Sequence, residues 1–493
     1  VIQKGNKNEP FIILFFSVSN TEKESMEVIR LLGNEGIDLI EISGGTYEKP
    51  AMVQGIQKQS TVSREAYFLD YIEKARKLIK TPLLLTGGFR TVKVMEKALE
   101  DGSLDGYDLT KVDVTKLTRE ALKAYTDLGN KERDRAKNMF VLGMIYWLYN
   151  RDLDTTIEYL KDKFKKKESI LNSNIDVLKA GYFYGETAEL FSSRYKVEKA
   201  KMEPGVYRSI MGNQALSMGL IAAAQKSGLQ LFLGSYPITP ATDILHELSK
   251  YKNFNVKTFQ AEDEIAGISA AIGASYGGSI GLTTTSGPGM ALKTEAMGLA
   301  MMLEIPLVIV NIQRGGPSTG LPTKTEQSDL MQAYYGRNGE APIPVIAAST
   351  PSDCFEMAFE AVRIAIEHMT PVILLSDGYI ANGAEPWKYP TASELPKIEV
   401  HFKTSLDEGE EKFLPYKRNE KLARPWAIPG TPGLEHRIGG LEKQDVTGNI
   451  SYDPDNHHHM VKTRQAKVDK IADYIPLQTI DNGPEKGKVL VLG

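Results

Sequence analysis

Between residues 205 and 385, short apolar runs alternate regularly with segments of helical pattern. Six of the runs have the length and composition of strands: "LQLFLGSYP", "NVKTFQAE", "SIGLTTTSG", "PLVIVNIQR", "IPVIAAST" and "PVILLSD". Strands that alternate with helices in this way are typical of β/α units whose strands pair in parallel. This part of the chain is therefore predicted to be an α/β domain built on a parallel sheet.

Four polar loops follow predicted strands of this domain, namely "SYPITP", "FQAEDE", "TTTSGPGM" and "NIQRGGPSTGLPT". In an open parallel sheet, the carboxyl ends of the strands form the edge at which ligands bind. The two prolines of the first loop restrict the backbone and would hold the hydroxyl of Thr239 in one place. These loops are the candidate functional segments.

Two charged residues stand out in the loops, and each has an ordinary explanation as well. Glu262 is predicted to end a strand and start the helix "DEIAGISAAIGASYGG", whose small residues allow close packing and a dry environment. An acidic helix start that the helix dipole favours would explain Glu262 equally. Arg314 enters a loop of Gly, Pro, Ser and Thr that suits a small anion, whereas a surface arginine is the alternative. "SGPG" alone is consistent with a simple turn.

The other regions differ in pattern. Residues 1 to about 105 show further β/α alternation, and residues 110–203 are mainly helical. Residues 386–487 are rich in Pro, Gly, Asp and Lys and are predicted to form an extended connector, and the final "GKVLVLG" has the pattern of a strand that opens another domain. Within the connector, the "NHHHM" run is expected to be solvated, because consecutive residues of a loop cannot all face one metal ion.

Composition excludes several classes of protein. A single cysteine, Cys354, rules out a disulfide framework and an iron–sulfur cluster held by four thiolates of this chain. The formal net charge of -4 does not favour nucleic acid as a partner. The sequence has no apolar run of membrane-spanning length, and "VIQKGNKNEP" lacks the pattern of a signal peptide. We therefore expect a cytoplasmic protein without a nucleic-acid or membrane partner.

The motifs "YPITP", "QAEDE", "SGPG" and "QRGGPSTGLPT" resemble, in this order, those of the alpha subunits of 2-oxoacid:ferredoxin oxidoreductases, most closely the 2-oxoglutarate type. The resemblance covers about residues 110–493. It implies the helical remainder of a gamma domain at 110–203 and a thiamine diphosphate-binding pyrimidine domain at 204–385. The connector at 386–487 would then lead to the start of a truncated transketolase C-terminal-like domain at 488–493.

The resemblance also implies roles for individual residues. The expected catalytic residues are Glu262, Arg314, Thr239 and Thr323, and the expected substrate contacts are Thr239, Arg314, Thr319 and Thr323. The expected cofactor contacts are Tyr236, Pro237, Ile238, Glu262, Ser286, Gly287 and Pro288. Glu262 would hydrogen-bond N1′ of the cofactor's aminopyrimidine, and Arg314 would pair with the substrate carboxylate. No metal ligand is expected on this chain.

The implied reaction is oxidative decarboxylation of a 2-oxoacid, with 2-oxoglutarate favoured, to an acyl-CoA with reduction of ferredoxin. The implied partners are a beta subunit that completes a heterodimer, ferredoxin, coenzyme A and the 2-oxoacid. The sequence contains no "GDG" followed by paired asparagines, the motif that would hold Mg2+ and the diphosphate. "SDGYIANG" at 376–383 resembles that motif only superficially. Mg2+, the diphosphate half of the cofactor site and the iron–sulfur cluster are therefore expected on the beta subunit.

Residues 1–109 are similar to something else. "GIDLIEISGGTYE", "SREAYFLDYIEKARK" and "TPLLLTGGFR" resemble the C-terminal half of the barrel in Old yellow enzyme type NADH:flavin oxidoreductases, in which Gly87 and Gly88 would hold the flavin phosphate. Three or four β/α units cannot close a barrel, so this region would be a partial β/α barrel fragment and the chain would be chimeric. A flavin-dependent ene-reductase fragment and a non-catalytic chimeric product are the alternative functions.

Overall fold

A computed structural model describes residues 12–15, 22–34, 39–42, 69–80, 83–85, 112–188, 194–198, 200–388 and 390–477. The chain forms two compact units, Val1–Lys201 and Met202–Gly493. The glycines Gly87 and Gly88 and the segment 488–493 lie outside the described residues. Among the described helices, none combines the length and the apolar character that a membrane span requires.

The first unit contains a small sheet and a group of helices. Its strands are β1 (Ile12–Phe15), β2 (Leu39–Ile42) and β3 (Leu83–Leu85). They pair in parallel in chain order, as the β/α alternation predicted. Its helices are α1 (Glu22–Asn34), α2 (Leu69–Leu78), α3 (Val114–Ala121), α4 (Asn130–Arg135), α5 (Lys137–Leu148), α6 (Asp154–Lys163) and α7 (Glu168–Thr187).

Glycines allow α5 and α7 to approach closely. A Cβ at Gly143 would overlap the carbonyl oxygen of Leu178, and a Cβ at Gly181 would overlap the carbonyl oxygen of Phe140. The two backbones are therefore nearly in contact at this crossing. Phe140 and neighbouring apolar side chains fill the small core that these helices share.

The second unit is organised around a six-stranded parallel sheet. The strands of the unit are β4 (Tyr207–Met211), β5 (Leu231–Ser235), β6 (Val256–Gln260), β7 (Ile280–Thr285), β8 (Leu307–Gln313), β9 (Val345–Ala347), β10 (Pro371–Asp377) and β11 (Ala384–Lys388). The order in the main sheet is β6-β5-β7-β8-β10-β9, and β4 pairs with β11 in a separate antiparallel ribbon. All six predicted strands are present in the sheet, which confirms the predicted α/β class.

Helices cover both faces of the sheet. They are α8 (Gly212–Ser227), α9 (Thr242–Leu248), α10 (Glu264–Tyr276), α11 (Gly287–Leu292), α12 (Thr294–Leu303), α13 (Leu330–Tyr335), α14 (Asp353–His368), α15 (Gly378–Asn382) and α16 (Pro454–Lys470). Val308 and Val310 of β8 belong to the core under α8 and α14, whereas Leu307 and Ile309 belong to the core under α10 and α12. The strand is thus apolar on both faces, as expected for a covered parallel strand.

The region after β11 packs against the sheet domain and contains a long helix. Ile398 and Trp426 join the core under α8 and α14. The predicted extended connector is therefore wrong for residues 454–470, which form α16. Asp453 caps this helix by accepting a hydrogen bond from the Asn456 amide at 2.8 Å, and Pro454 follows the cap at the first helical position.

Candidate active site

The four predicted loops follow β5, β6, β7 and β8, which are neighbours in the sheet. Because parallel strands end at the same edge, the loops come together there. A cavity of about 250 Å3 opens at this edge and is lined by segments that follow β5, β8 and β10. Pockets for drug-sized ligands usually occupy roughly 300–1,000 Å3, so this one suits a small ligand.

Hydroxyl groups dominate the polar part of the cavity lining. The lining includes the predicted substrate contacts Thr239 and Thr323, and both are exposed to solvent. Lys324 adds a positive charge and Asp243 a negative one, and the wall also includes Gly378 and Asn382. The last two belong to the "SDGYIANG" segment, which the sequence reasoning set aside. Their position directly after the buried strand β10 was the signal that could have identified them.

Arg314 lies at the end of β8 and is 6% exposed. Its Nη1 donates to the backbone oxygen of Thr239 at 2.6 Å, and its Nη2 donates to the backbone oxygen of Thr319 at 2.7 Å. Nε is buried and has no hydrogen-bond partner among the residues that the structure describes. Burial lowers the pKa of Arg314 from its ordinary value. The predicted residues Arg314, Thr239 and Thr319 are thus in contact, and the arginine fastens one loop to the other.

The expectation that Glu262 starts the helix is wrong. Helix α10 begins at Glu264, and Asp263 is its cap, accepting a hydrogen bond from the Ala266 amide at 2.8 Å. Glu262 therefore precedes the helix and is exposed. Glu264 is 8% exposed because it lies on the same helical face as Gly267 and Ala271, which packs against the sheet. The buried carboxylate of "QAEDE" is therefore Glu264, whereas the sequence reasoning singled out Glu262.

The "SGPG" turn lies directly over this carboxylate. A Cβ at Gly289 would be 3.0 Å from Oε1 of Glu264 and would collide with Oγ1 of Thr285, so only glycine fits. The predicted cofactor contacts Ser286, Gly287 and Pro288 form the cap and first turn of α11. The hydroxyl of Ser286 is buried without a partner. The turn and Glu264 therefore form one compact polar surface.

The remaining predicted contacts lie in the turn after β5. Tyr236 is 39% exposed, Pro237 is half-buried, and Ile238 packs against the core under α8 and α14. Thr319 contacts Arg314 through its backbone oxygen, not through its hydroxyl.

The histidines of "NHHHM" lie on α16. Nδ1 of His457 lies 2.7 Å from Oε2 of Glu442, and Nε2 of His459 lies 3.1 Å from Oδ2 of Asp445. Within the described ranges, no group of three His, Cys, Asp or Glu side chains is arranged to hold a metal ion.

Two family models match the chain. One, described as pyruvate flavodoxin/ferredoxin oxidoreductase, thiamine diP-bdg, matches residues 223–452 and so contains the candidate site. The other, described as pyruvate ferredoxin/flavodoxin oxidoreductase, matches residues 50–184. The second match begins well before residue 110, where the resemblance was predicted to start. The resemblance of residues 1–105 to Old yellow enzyme is not supported by these matches.

Individual relatives have related names. The 2-oxoglutarate oxidoreductase subunit KorA of Mycobacterium tuberculosis is 54% identical over 396 residues, which cover 80% of this chain and 60% of the relative. The 2-oxoglutarate synthase subunit KorA of Methanothermobacter marburgensis is 36% identical, over 54% of this chain and 69% of the relative.

The chain therefore spans less than two thirds of the mycobacterial relative. A solved 2-oxoglutarate:ferredoxin oxidoreductase from Magnetococcus marinus, with 2-oxoglutarate, coenzyme A and succinyl-CoA bound, matches with a TM-score of 0.70 and 30% identity. The match covers 90% of this chain and 70% of that one. These similarities show that the chain belongs to the KorA family of 2-oxoglutarate oxidoreductase alpha subunits.

Proposed function

We propose that the chain is the alpha subunit of a 2-oxoglutarate:ferredoxin oxidoreductase and acts with a beta subunit. The reaction is oxidative decarboxylation of 2-oxoglutarate to an acyl-CoA, with ferredoxin as electron acceptor. Family membership and the solved relative with 2-oxoglutarate, coenzyme A and succinyl-CoA bound support this substrate set. The observation that carries the proposal is the buried carboxylate of Glu264 beneath the "SGPG" turn.

The polar surface around Glu264 fits the pyrimidine of thiamine diphosphate. A buried carboxylate at a site edge is the group that can hydrogen-bond a ring nitrogen and hold a proton there. The backbone at Gly289 lies directly against Glu264, and the buried Ser286 hydroxyl beside this turn has no hydrogen-bond partner among the described residues. When bound, thiamine diphosphate supplies the electron sink that decarboxylation of a 2-oxoacid needs. We assign the ring contact to Glu264 in place of Glu262.

The cavity lined by segments that follow β5, β8 and β10 is the proposed substrate site. The hydroxyls of Thr239 and Thr323 are placed to donate hydrogen bonds to a carboxylate or oxo oxygen, and the ammonium of Lys324 is the lining group that can pair with a substrate carboxylate. Arg314 orients Thr239 by holding its backbone oxygen. Arg314 thus positions the turn that contains Thr239 through the backbone of that turn. Among the described residues, its Nε is a donor without a hydrogen-bond partner.

A partner subunit is proposed to cover the same edge. Large apolar side chains are exposed at or after the carboxyl ends of several strands. They are Tyr236, Phe259, Ile265, Leu292, Leu330, Met331, Tyr334, Tyr335 and Tyr379. Exposed apolar surface of this kind marks an interaction site. We propose that the beta subunit covers it and contributes Mg2+, the diphosphate contacts and the iron–sulfur cluster, with ferredoxin and coenzyme A as further partners.

The test compares Glu264→Gln with Glu262→Gln in the complex with its beta subunit. Each variant is assayed for 2-oxoglutarate- and coenzyme A-dependent dye reduction. Loss of a proton-handling carboxylate costs about a hundredfold or more in rate, so Glu264→Gln is expected to lose at least that factor. Glu262→Gln should stay within about threefold, because it keeps the buried carboxylate. Full activity of Glu264→Gln, or inactivity of Glu262→Gln alone, would contradict the assignment.

A further inference from the structure

Lys293 links α11 to α12 and is completely buried. Its side chain is 0% exposed, and Nζ has no hydrogen-bond partner. No ion pair joins Nζ to an acidic residue in the part of the chain that the structure describes. Burying an ammonium group without a partner is costly, because the group loses its hydration and gains nothing in return. A lysine in this position therefore needs a compensating charge that acts from a distance.

Glu264 is the buried group that can provide this charge. The backbone amide of Lys293 donates to the carbonyl oxygen of Gly289 at 3.2 Å, and Gly289 is the residue that lies against Glu264. Burial lowers the pKa of Lys293 to about 8, and the charges of Glu264 and then Asp263 oppose this decrease. Asp263 is exposed and already caps α10, so its charge is screened by solvent.

We propose that Lys293 is a positioning residue whose buried ammonium holds the negative charge of Glu264 in the candidate site. The two groups form no ion pair, so the attraction between them acts through space, and burial of both groups reduces its screening by solvent. Lys293 acts through Glu264 and does not touch the substrate. The role of Lys293 toward the cofactor rests on the proposed function of Glu264. The attraction between the Lys293 ammonium and the Glu264 carboxylate, called the charge couple below, does not depend on that function.

The couple is tested by a double-mutant cycle of Lys293→Met and Glu264→Gln, followed by thermal unfolding of the chain at pH 7.5. Glu264→Gln alone should lower the unfolding midpoint by a few degrees, because it leaves the ammonium uncompensated. The double variant should recover most of this loss, since it buries no charge. Strictly additive midpoints would overturn the couple. Lys257→Met, which removes an exposed lysine on β6, is the matched control.

The role in the site is tested by calorimetry of thiamine diphosphate with Mg2+ in the complex with the beta subunit. Between pH 7 and 9, the affinity for thiamine diphosphate should decrease as Lys293 loses its proton near pH 8. In Lys293→Met the affinity at pH 7.5 should fall about tenfold and this pH dependence should disappear. An unchanged pH dependence would overturn the positioning role. The double-mutant cycle can show coupling while Glu264→Gln binds thiamine diphosphate normally. In that case the charge couple between Lys293 and Glu264 is confirmed and the proposed function of Glu264 is wrong.

Discussion

The Arg314 guanidinium donates to backbone oxygens on two different loops. A side chain in that arrangement sets the position of the Thr239 turn whether or not it also contacts the substrate. Arginine suits this task because its planar fork holds two acceptors at once and retains its charge when buried. The guanidinium therefore has a geometric role that its charge alone would not have indicated.

Arg314→Met should lose both hydrogen bonds and release the Thr239 turn. Hydrogen bonds from charged groups are worth about 1.5–3 kcal/mol each, so the loss of both should lower kcat/KM for 2-oxoglutarate by roughly a hundredfold to ten-thousandfold. Arg314→Lys keeps the charge and can replace one of the two hydrogen bonds, so its kcat/KM should lie between those of the parent and Arg314→Met. Affinity for thiamine diphosphate should stay near normal in both. Steady-state kinetics with Arg437→Met, an exposed arginine, as control would check this. Lost cofactor binding with unchanged substrate dependence would contradict it.

Sequence alone placed Thr239, Thr323 and Arg314 at the correct edge, because that required only the strand ends. The resemblance assigned the cofactor contact to Glu262, but the sequence pattern could not show which of the three acidic side chains of "QAEDE" is buried. The choice depends on where the helix begins. The cap at Asp263 fixes that start and turns Glu264 toward the sheet.

At the level of elements, Glu304 fastens the region after β11 to the sheet domain. It follows α12 and pairs with Arg418 at 2.5 Å and with Lys467 of α16. All three side chains are at least nine-tenths buried. Burial would raise the pKa of Glu304, but Lys467 and Arg418 lower it to about 2. The carboxylate is therefore ionised throughout the physiological range.

Glu304→Gln should strongly destabilise the chain, because it leaves two buried cations without their shared partner. Breaking a buried ion pair in this way typically costs about 3–5 kcal/mol. Urea unfolding should show the loss, and limited proteolysis should cut the α16 region earlier than in the parent. Glu408→Gln, which changes an exposed carboxylate of the same region, should stay within about 0.5 kcal/mol. Equal stability of the two variants would show that the ion cluster contributes little.

Pattern at the level of elements predicted the six strands of the sheet, because each is a short apolar run between helices. The same reasoning missed α16, although Asp453 and Pro454 are typical of a helix start. This helix is polar, with few buried residues, and its contact with Glu304 joins residues 163 positions apart. A partner so distant in sequence leaves no local pattern.

Across the second unit, stability depends on groups whose protonation changes with pH. His368, the last residue of α14, is completely buried, and neither ring nitrogen has a hydrogen-bond partner in the described part of the chain. Its ring meets that of Tyr474, beyond α16, with centroids 5.3 Å apart. Burial, followed by the charge of Lys421, lowers the pKa of His368 from 6.5 to about 4. The native state therefore keeps the ring neutral under conditions in which the unfolded chain binds a proton.

Stability should consequently fall as the pH decreases from 6.5 toward 4, because the unfolded state then binds one more proton than the native state. Between pH 7 and 5 the free energy of unfolding should decrease by on the order of 2 kcal/mol from this residue alone. Glu304 and Glu442, both with a pKa lowered to about 2, should add their effects mainly below pH 4.5.

His368→Phe removes the titrating group and keeps an aromatic ring against Tyr474. Urea unfolding at several pH values should show a flatter profile for this variant between pH 7 and 5 than for the parent. His458→Phe, which changes an exposed histidine of α16, should retain the parent's profile. If His368→Phe were as sensitive to pH as the parent over this interval, protonation of His368 would not be the cause, and another group would have to carry the acid sensitivity of the unit.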